Sequence, residues 1–134
     1  MTLYFIGIIY MEYVHALIYF IIGLAGITVI DTIGAFASRK LNFHYGYFII
    51  VSAALYISIG YLCTREYNFG MAVLVNGLLG LYDGSIGLKV SILLKANGGL
   101  SAEKSREIGM EKITLMMAFM GFFYALVGGS IIFL

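Results

Sequence analysis

Three charged residues interrupt long apolar stretches of this chain: Asp31, Asp83 and Lys89. An ionised side chain at the centre of a membrane helix costs about 2.5–3.5 kcal/mol, so such residues are usually paired or functional. Asp31 lies seven residues before Ser38, and Lys89 lies six residues before Lys95. At 1.5 Å per residue both lie about 9–10 Å inside the bilayer. Their similar depth predicts an ion pair between the first and third helices, with a gating or a structural role.

Asp83 lies deeper than the other two charged residues. It precedes Lys95 by twelve residues, which places it about 18 Å inside the bilayer, near the midplane. Asn76 precedes Asp83 by seven residues and so shares its helix face. One hypothesis is a cation or proton site at Asp83, with Asn76 as a supporting ligand. The other is a protonated carboxyl that is hydrogen-bonded to a neighbouring helix.

Four glycines form a stripe on the same helix. They are spaced by three, four and three residues: Gly77, Gly80, Gly84 and Gly87. Residues at this spacing share one helix face, and small residues there let another backbone approach closely. The stripe therefore predicts close helix packing, either within the chain or across a dimer interface.

The surrounding composition shows which elements carry these residues. The chain is 62% apolar and 11% charged, with a net charge of +1, which excludes a soluble globular domain and a nucleic-acid-binding protein. Four stretches are long and apolar enough to span a membrane: residues 12–37, 46–63, 69–94 and 113–134. We therefore expect an all-α membrane protein forming a single integral membrane domain over residues 1–134. Residues 1–11 form either a membrane-surface segment or an extension of the first helix.

The basic residues predict the orientation. The first and third connections carry six of the eight Lys and Arg residues, so the loops 38–45 and 96–112 are expected to be cytoplasmic and both termini outside. Within the polar segment 96–112, Ser101 is a predicted N-cap. From Ala102 the pattern stays helical into the fourth span, which predicts one helix of about 50 Å that projects past the bilayer.

The first and third spans also share an ordered set of residues. The sequence Gly23-Leu24-Ala25-Gly26, followed by Asp31, Ile33-Gly34 and Ser38, is matched by Gly77-Leu78-Leu79-Gly80, followed by Asp83, Ile86-Gly87 and Ser91. A duplication would make the fold two similar helical hairpins that enter the membrane in the same direction. Coincidence within glycine-rich helices is the alternative.

Three further groups have weaker signals. Glu12 and His15 are spaced for a proton entry point or a weak metal site, or for an interfacial polar pair. Glu103, Glu107 and Glu111 form an acidic ridge, which is interpreted as a solvated face. Three methionines in the fourth span suit Cu(I) chemically, but apolar filling is the preferred interpretation: Met116, Met117 and Met120. Whether the protein binds a metal stays open.

The sequence carries no metalloprotease, nucleophile-elbow or P-loop motif, so we expect neither an enzyme nor a cofactor. The leading hypothesis is a small channel or transporter for a cation, a proton or a small solute, with Asp83, Asn76, Asp31 and Lys89 as contact residues. The alternative is a membrane scaffold or accessory subunit whose glycine stripe packs against a partner helix. The expected partners are the lipid bilayer, a second copy in a homo-oligomer (a dimer in the preferred form) and a membrane partner protein. No nucleic acid is expected.

Overall fold

The chain forms a helical bundle. The computed structural model describes the backbone of residues 1–134 and all side chains except those of Thr2, Leu3, Phe5, Ile8, Ile9 and Glu12. Six α-helices follow one another along this backbone: α1 Thr2–Leu41, α2 Ile49–Glu66, α3 Phe69–Tyr82, α4 Leu88–Leu93, α5 Ala102–Ile108 and α6 Met110–Ser130. A 3₁₀ turn at Tyr45–Phe48 precedes α2, and another at Ile131–Phe133 follows α6. No strand occurs over these 134 backbone positions.

Four segments are long and apolar enough to cross a membrane: Tyr13–Leu41, Tyr45–Glu66, Phe69–Leu93 and Met110–Phe133. They agree with the four predicted spans to within a few residues at each end. The chain is therefore an all-α, multi-pass membrane protein. Residues 1–11 continue α1 from Thr2 onward, which makes a helix of 40 residues, about 60 Å long.

The third span is not a regular α-helix. A π-helical turn at Asp83–Gly87 separates α3 from α4. The Thr114 hydroxyl on α6 donates a hydrogen bond of 3.1 Å to the Gly84 carbonyl inside this turn. Such π turns are rare and occur often at functional sites, because they change the direction of side chains on either side of the turn.

The predicted continuous helix from Ala102 into the fourth span is wrong. Gly109 separates α5 from α6 with a backbone φ of 91°, a value that only glycine adopts at little cost. The predicted N-cap at Ser101 is confirmed, since its hydroxyl accepts a hydrogen bond from the Lys104 N–H. The polar segment thus contains a separate short helix.

Close packing of small residues holds α6 against the rest of the bundle. At Gly80, an added Cβ would lie 2.8 Å from the Ala118 Cα, and at Gly84 it would lie 2.7 Å from the Thr114 Cα. A second small-residue stripe on α6 provides the matching surface: Ala118, Gly121, Ala125 and Gly128. The glycines of α3 thus pack within the chain. Gly87 departs from the stripe and lies against Asp31 of α1.

The first and third connections meet on one side of the bundle. The Tyr45 N–H donates to the Asn97 carbonyl at 2.7 Å, and the Asn97 N–H donates to the Ser38 hydroxyl at 3.1 Å. The Asn97 side chain also donates to Asn42. These bonds fix the end of α1 and the start of α2 to the chain that follows α4.

Candidate functional site

Two carboxyl groups from different spans meet inside the bundle. Asp31 on α1 is 5% exposed, and Asp83 at the start of the π turn is 8% exposed. Both point at Gly87: a Cβ there would lie 2.9 Å from Asp83 Oδ1 and closer still to Asp31 Oδ2. Asp31 Oδ2 and Asp83 Oδ1 are therefore separated by less than twice 2.9 Å. The absence of a side chain at Gly87 leaves the space in which they approach.

The prediction that Asp83 lies deeper in the bilayer than Asp31 is wrong, because the two carboxyls meet. That prediction counted Asp31 from Ser38 and Asp83 from Lys95. The helices instead end at Leu41 and Leu93, so each aspartate lies ten residues before the end of its own span. Both are about 15 Å inside those ends, at one level of the bundle.

Each aspartate accepts a hydrogen bond from a tyrosine. The Tyr45 hydroxyl donates to Asp31 Oδ1 at 2.7 Å, and the Tyr56 hydroxyl donates to Asp83 Oδ2 at 3.1 Å. The remaining oxygen of Asp31, Oδ2, is buried and has no hydrogen-bond partner. A buried acceptor without a partner is unfavourable, so this oxygen points to a proton or a cation that joins the two carboxyls.

The carboxyl pair lies on the wall of a cavity of about 360 Å³. Polar groups other than the two aspartates are few along this wall, and include Ser52 and Ser91. Its remaining side chains are mostly apolar or aromatic: Phe48, Ile49, Leu88, Met116, Met117, Met120 and Tyr124, together with Tyr45 and Tyr56. A largely apolar cavity with a few convergent polar groups is typical of a small-molecule binding site.

The cavity lies between α2 and α6, toward the side of the 96–112 segment. At the other end these two helices pack tightly, because an added Cβ at Gly60 would lie 3.0 Å from the Ala125 Cα and one at Gly128 only 2.8 Å from the Tyr61 nitrogen. Toward the loops the helices present larger side chains to the cavity. Ile49 on α2 and Met116 on α6 line it and are 58% and 56% exposed. The cavity is therefore bordered by side chains of both helices that the rest of the bundle leaves largely uncovered.

The predicted ion pair between Asp31 and Lys89 does not form. No ion pair joins these residues among the side chains that the structure describes, and Lys89 is exposed. Lys89 is two positions beyond Gly87, the residue that faces Asp31. Residues two positions apart on a helix point in nearly opposite directions, so Lys89 points away from Asp31. Lys89 also lies four residues from the end of α4, much nearer to that end than Asp31 is to the end of α1.

Asn76 is on the predicted side of α3 but not at the cavity. It is fully buried, and its amide donates to the Tyr56 carbonyl at 2.9 Å. It is absent from the cavity wall, which reaches Asp83 about two turns further along the span. The structure thus gives Asn76 a contact between helices rather than a place beside the carboxyl pair.

The groups with weaker sequence signals have different outcomes in the structure. The pairing of Glu12 with His15 lies outside the described side chains, while the ring of His15 stacks on Tyr67 with centroids 6.4 Å apart. The three methionines all line the cavity as part of its apolar wall. Among the described side chains, no group of three or more His, Cys, Asp or Glu residues is arranged to hold a metal ion.

Sequence reasoning missed the two tyrosines of the site. Tyr45 lies just before the second span, where a tyrosine is typical of the membrane interface, yet its hydroxyl reaches Asp31 inside the bundle. Tyr56 is in the middle of α2 and is 3% exposed. A tyrosine so far from either end of a span needs an acceptor for its hydroxyl, and the aspartates are the buried acceptors in the spans. The need of the Tyr56 hydroxyl for an acceptor is the sequence signal by which Tyr56 could have been found.

Comparison of the chain with protein-family models, with curated proteins and with solved structures finds no significant match to any of them.

Proposed function

We propose that this membrane protein binds a cation at the Asp31–Asp83 pair and carries it across the bilayer in exchange for protons. The observation that carries the proposal is the meeting of two buried carboxyls on the wall of a cavity, one with an unpartnered oxygen. At this separation, two negative charges repel each other by roughly 3 kcal/mol at an effective dielectric constant of about 20. Charge compensation by a proton or a cation removes that repulsion.

The groups that face the pair support an exchange of this kind. They are the hydroxyls of Tyr45 and Tyr56, and α1, α2 and the π turn bring no basic side chain into contact among the described residues. A bound cation then replaces the proton as the compensating charge. Release of that proton couples cation binding to proton movement.

The alternative is a membrane scaffold in which the carboxyls serve only to hold helices together. The two tyrosine hydrogen bonds favour it, because each ties an aspartate to the segment from Tyr45 to Tyr56. The glycine stripe of α3 does not favour it. Gly80 and Gly84 are already in contact with α6 and are not free for a partner helix.

Proton flux in liposomes distinguishes these functions. The purified protein is reconstituted with a trapped pH-sensitive dye, and gradients of Na⁺, K⁺ and a small organic ammonium ion are imposed in turn. At least one gradient is expected to drive proton movement, and Asp83→Asn is expected to slow it at least tenfold. Glu103→Gln, which neutralises an exposed carboxyl on α5, is the matched control and is expected to keep the wild-type rate.

A second variant separates a lost site from a lost fold. Gly87→Ala places a methyl group between the two carboxyls without removing a charge, and is expected to reduce the flux while the bundle stays folded. Flux that persists in Asp83→Asn, or no flux under any gradient, contradicts the proposal. Unfolding of Asp83→Asn, with no flux in the wild type, supports the scaffold.

A further inference from the structure

We infer that the cation taken by this site is an organic amine with an apolar body, rather than a bare metal ion. The inference rests on the proposed function and specifies its substrate class. It combines three observations: the few polar groups around the carboxyl pair, the size and character of the rest of the cavity, and the exposed apolar side chains of α2 and α6 on the cavity wall.

The polar groups at the pair are too few for a dehydrated metal ion. Calcium takes six to eight oxygen ligands and magnesium takes six. Of the four carboxyl oxygens, two already accept tyrosine hydrogen bonds, and the rest of the cavity wall offers few other side-chain oxygens. An ammonium group needs only two or three acceptors, because it has at most three N–H donors. The two aspartates supply them.

The rest of the cavity fits an apolar body. Its volume of about 360 Å³ is far larger than an ion and falls within the range of small-molecule sites. The rings of Tyr56 and Tyr124 stack with centroids 5.8 Å apart, and both line the cavity. Aromatic faces attract cations most strongly where water is excluded, and methionine side chains adapt to ligands of irregular shape.

The exposed apolar side chains on the cavity wall suit a molecule that partitions into lipid. Ile49 and Met116 belong to membrane-spanning segments, line the cavity and are more than half exposed. An amine with an apolar body concentrates at the membrane as its ammonium ion, and its binding displaces the proton that the carboxyl pair held, as the proposed exchange requires.

Binding of three matched probes to the protein in nanodiscs tests the inference. The probes are phenethylamine, which has both the charge and the body, 2-phenylethanol, which has the body alone, and ammonium chloride, which has the charge alone. Isothermal titration calorimetry is performed for each, with empty nanodiscs subtracted to remove partitioning into lipid. Phenethylamine is expected to bind at least tenfold more tightly than either partial probe.

Two variants of neighbouring alanines locate the body of the ligand. Ala53 lines the cavity, whereas Ala54 is exposed on the outer face of α2. Ala53→Leu is expected to weaken phenethylamine binding at least fivefold, and Ala54→Leu is expected to leave it unchanged. Both substitutions add the same atoms to the same helix, and circular dichroism of each variant separates weaker binding from a loss of fold.

The outcomes separate this inference from the proposed function. Equal binding of phenethylamine and 2-phenylethanol, or equal effects of Ala53→Leu and Ala54→Leu, overturns the organic amine. Proton flux driven by Na⁺ or K⁺ but by no amine overturns it too, while leaving the proposed cation exchange intact. Loss of phenethylamine binding in Asp83→Asn, with Glu103→Gln unaffected, supports both.

Discussion

Gly80 provides a direct test of whether the glycine stripe packs within one chain. In Gly80→Ala the new Cβ would lie 2.8 Å from the Ala118 Cα and 2.9 Å from the Met117 carbonyl carbon. Carbon atoms in good contact are about 3.5–4.0 Å apart, so α3 and α6 must separate by about 1 Å. Both contacts are with backbone, which cannot turn away as the end of a flexible side chain can.

The expected cost follows from two opposing effects. Overpacking of a well-packed interface costs about 1–3 kcal/mol, and a gap of 0.5–1 Å also forfeits a quarter to a half of each neighbouring dispersion contact. Against this, replacing a helical glycine with alanine gains about 0.5–1 kcal/mol of backbone entropy. We therefore expect Gly80→Ala to lower the free energy of unfolding by about 2 kcal/mol.

The assay is reversible unfolding in mixed micelles of increasing SDS content, followed by circular dichroism. Gly7→Ala is the matched control, because an added Cβ at Gly7 meets no described atom within 4 Å. It should be neutral or slightly stabilising. Wild-type stability in Gly80→Ala would refute the packing argument. If that unchanged stability came with a loss of cross-linked dimers, the stripe would be an interface between copies.

Two further predictions concern the helix interface and the topology. Asn76→Ala is expected to lower stability by about 1 kcal/mol, within the range measured for hydrogen bonds between membrane helices, and to leave cation binding unchanged; a large loss of binding in calorimetry would return Asn76 to the site. Both termini are expected to be outside the cytoplasm, since six of the eight basic residues lie in the two connections that meet at Asn97. Labelling of terminal tags in intact cells checks this, and a protected C-terminus would reverse the orientation.

Hydropathy was sufficient to predict the spans, because a membrane helix needs only a long apolar stretch. It did not predict what happens within or between them. The break at Gly109 depends on one backbone angle, and a glycine in a helical pattern does not reveal whether its φ is positive. The π turn at Asp83–Gly87 depends on contacts with α1 and α6, which are distant in sequence.

The sequence contained one indication of the carboxyl pair, the internal repeat, although the depth estimate pointed to a different pairing. The proposed repeat aligns Asp31 with Asp83, and equivalent residues of two similar hairpins are expected at similar depth. The structure adds a local similarity: Ser38 donates to the Ala35 carbonyl and Ser91 donates to the Leu88 carbonyl, each three residues back. Counting from misplaced helix ends hid the equal depth of the aspartates, so Asp31 was paired with Lys89 by prediction instead of with Asp83.

The distribution of small residues explains why the cavity occurs where it does. Along α3 and at the far end of α2, glycines bring α6 into backbone contact, as at Gly80 and Gly60. Near the loops α2 presents larger side chains instead, and a space remains between it and α6. Both aspartates line that space, whereas Asn76, whose contact is purely between helices, is fully buried away from it. A bundle that needed its carboxyls only for packing would enclose them as it encloses Asn76. Their position at the cavity wall is the reason to look for a ligand there.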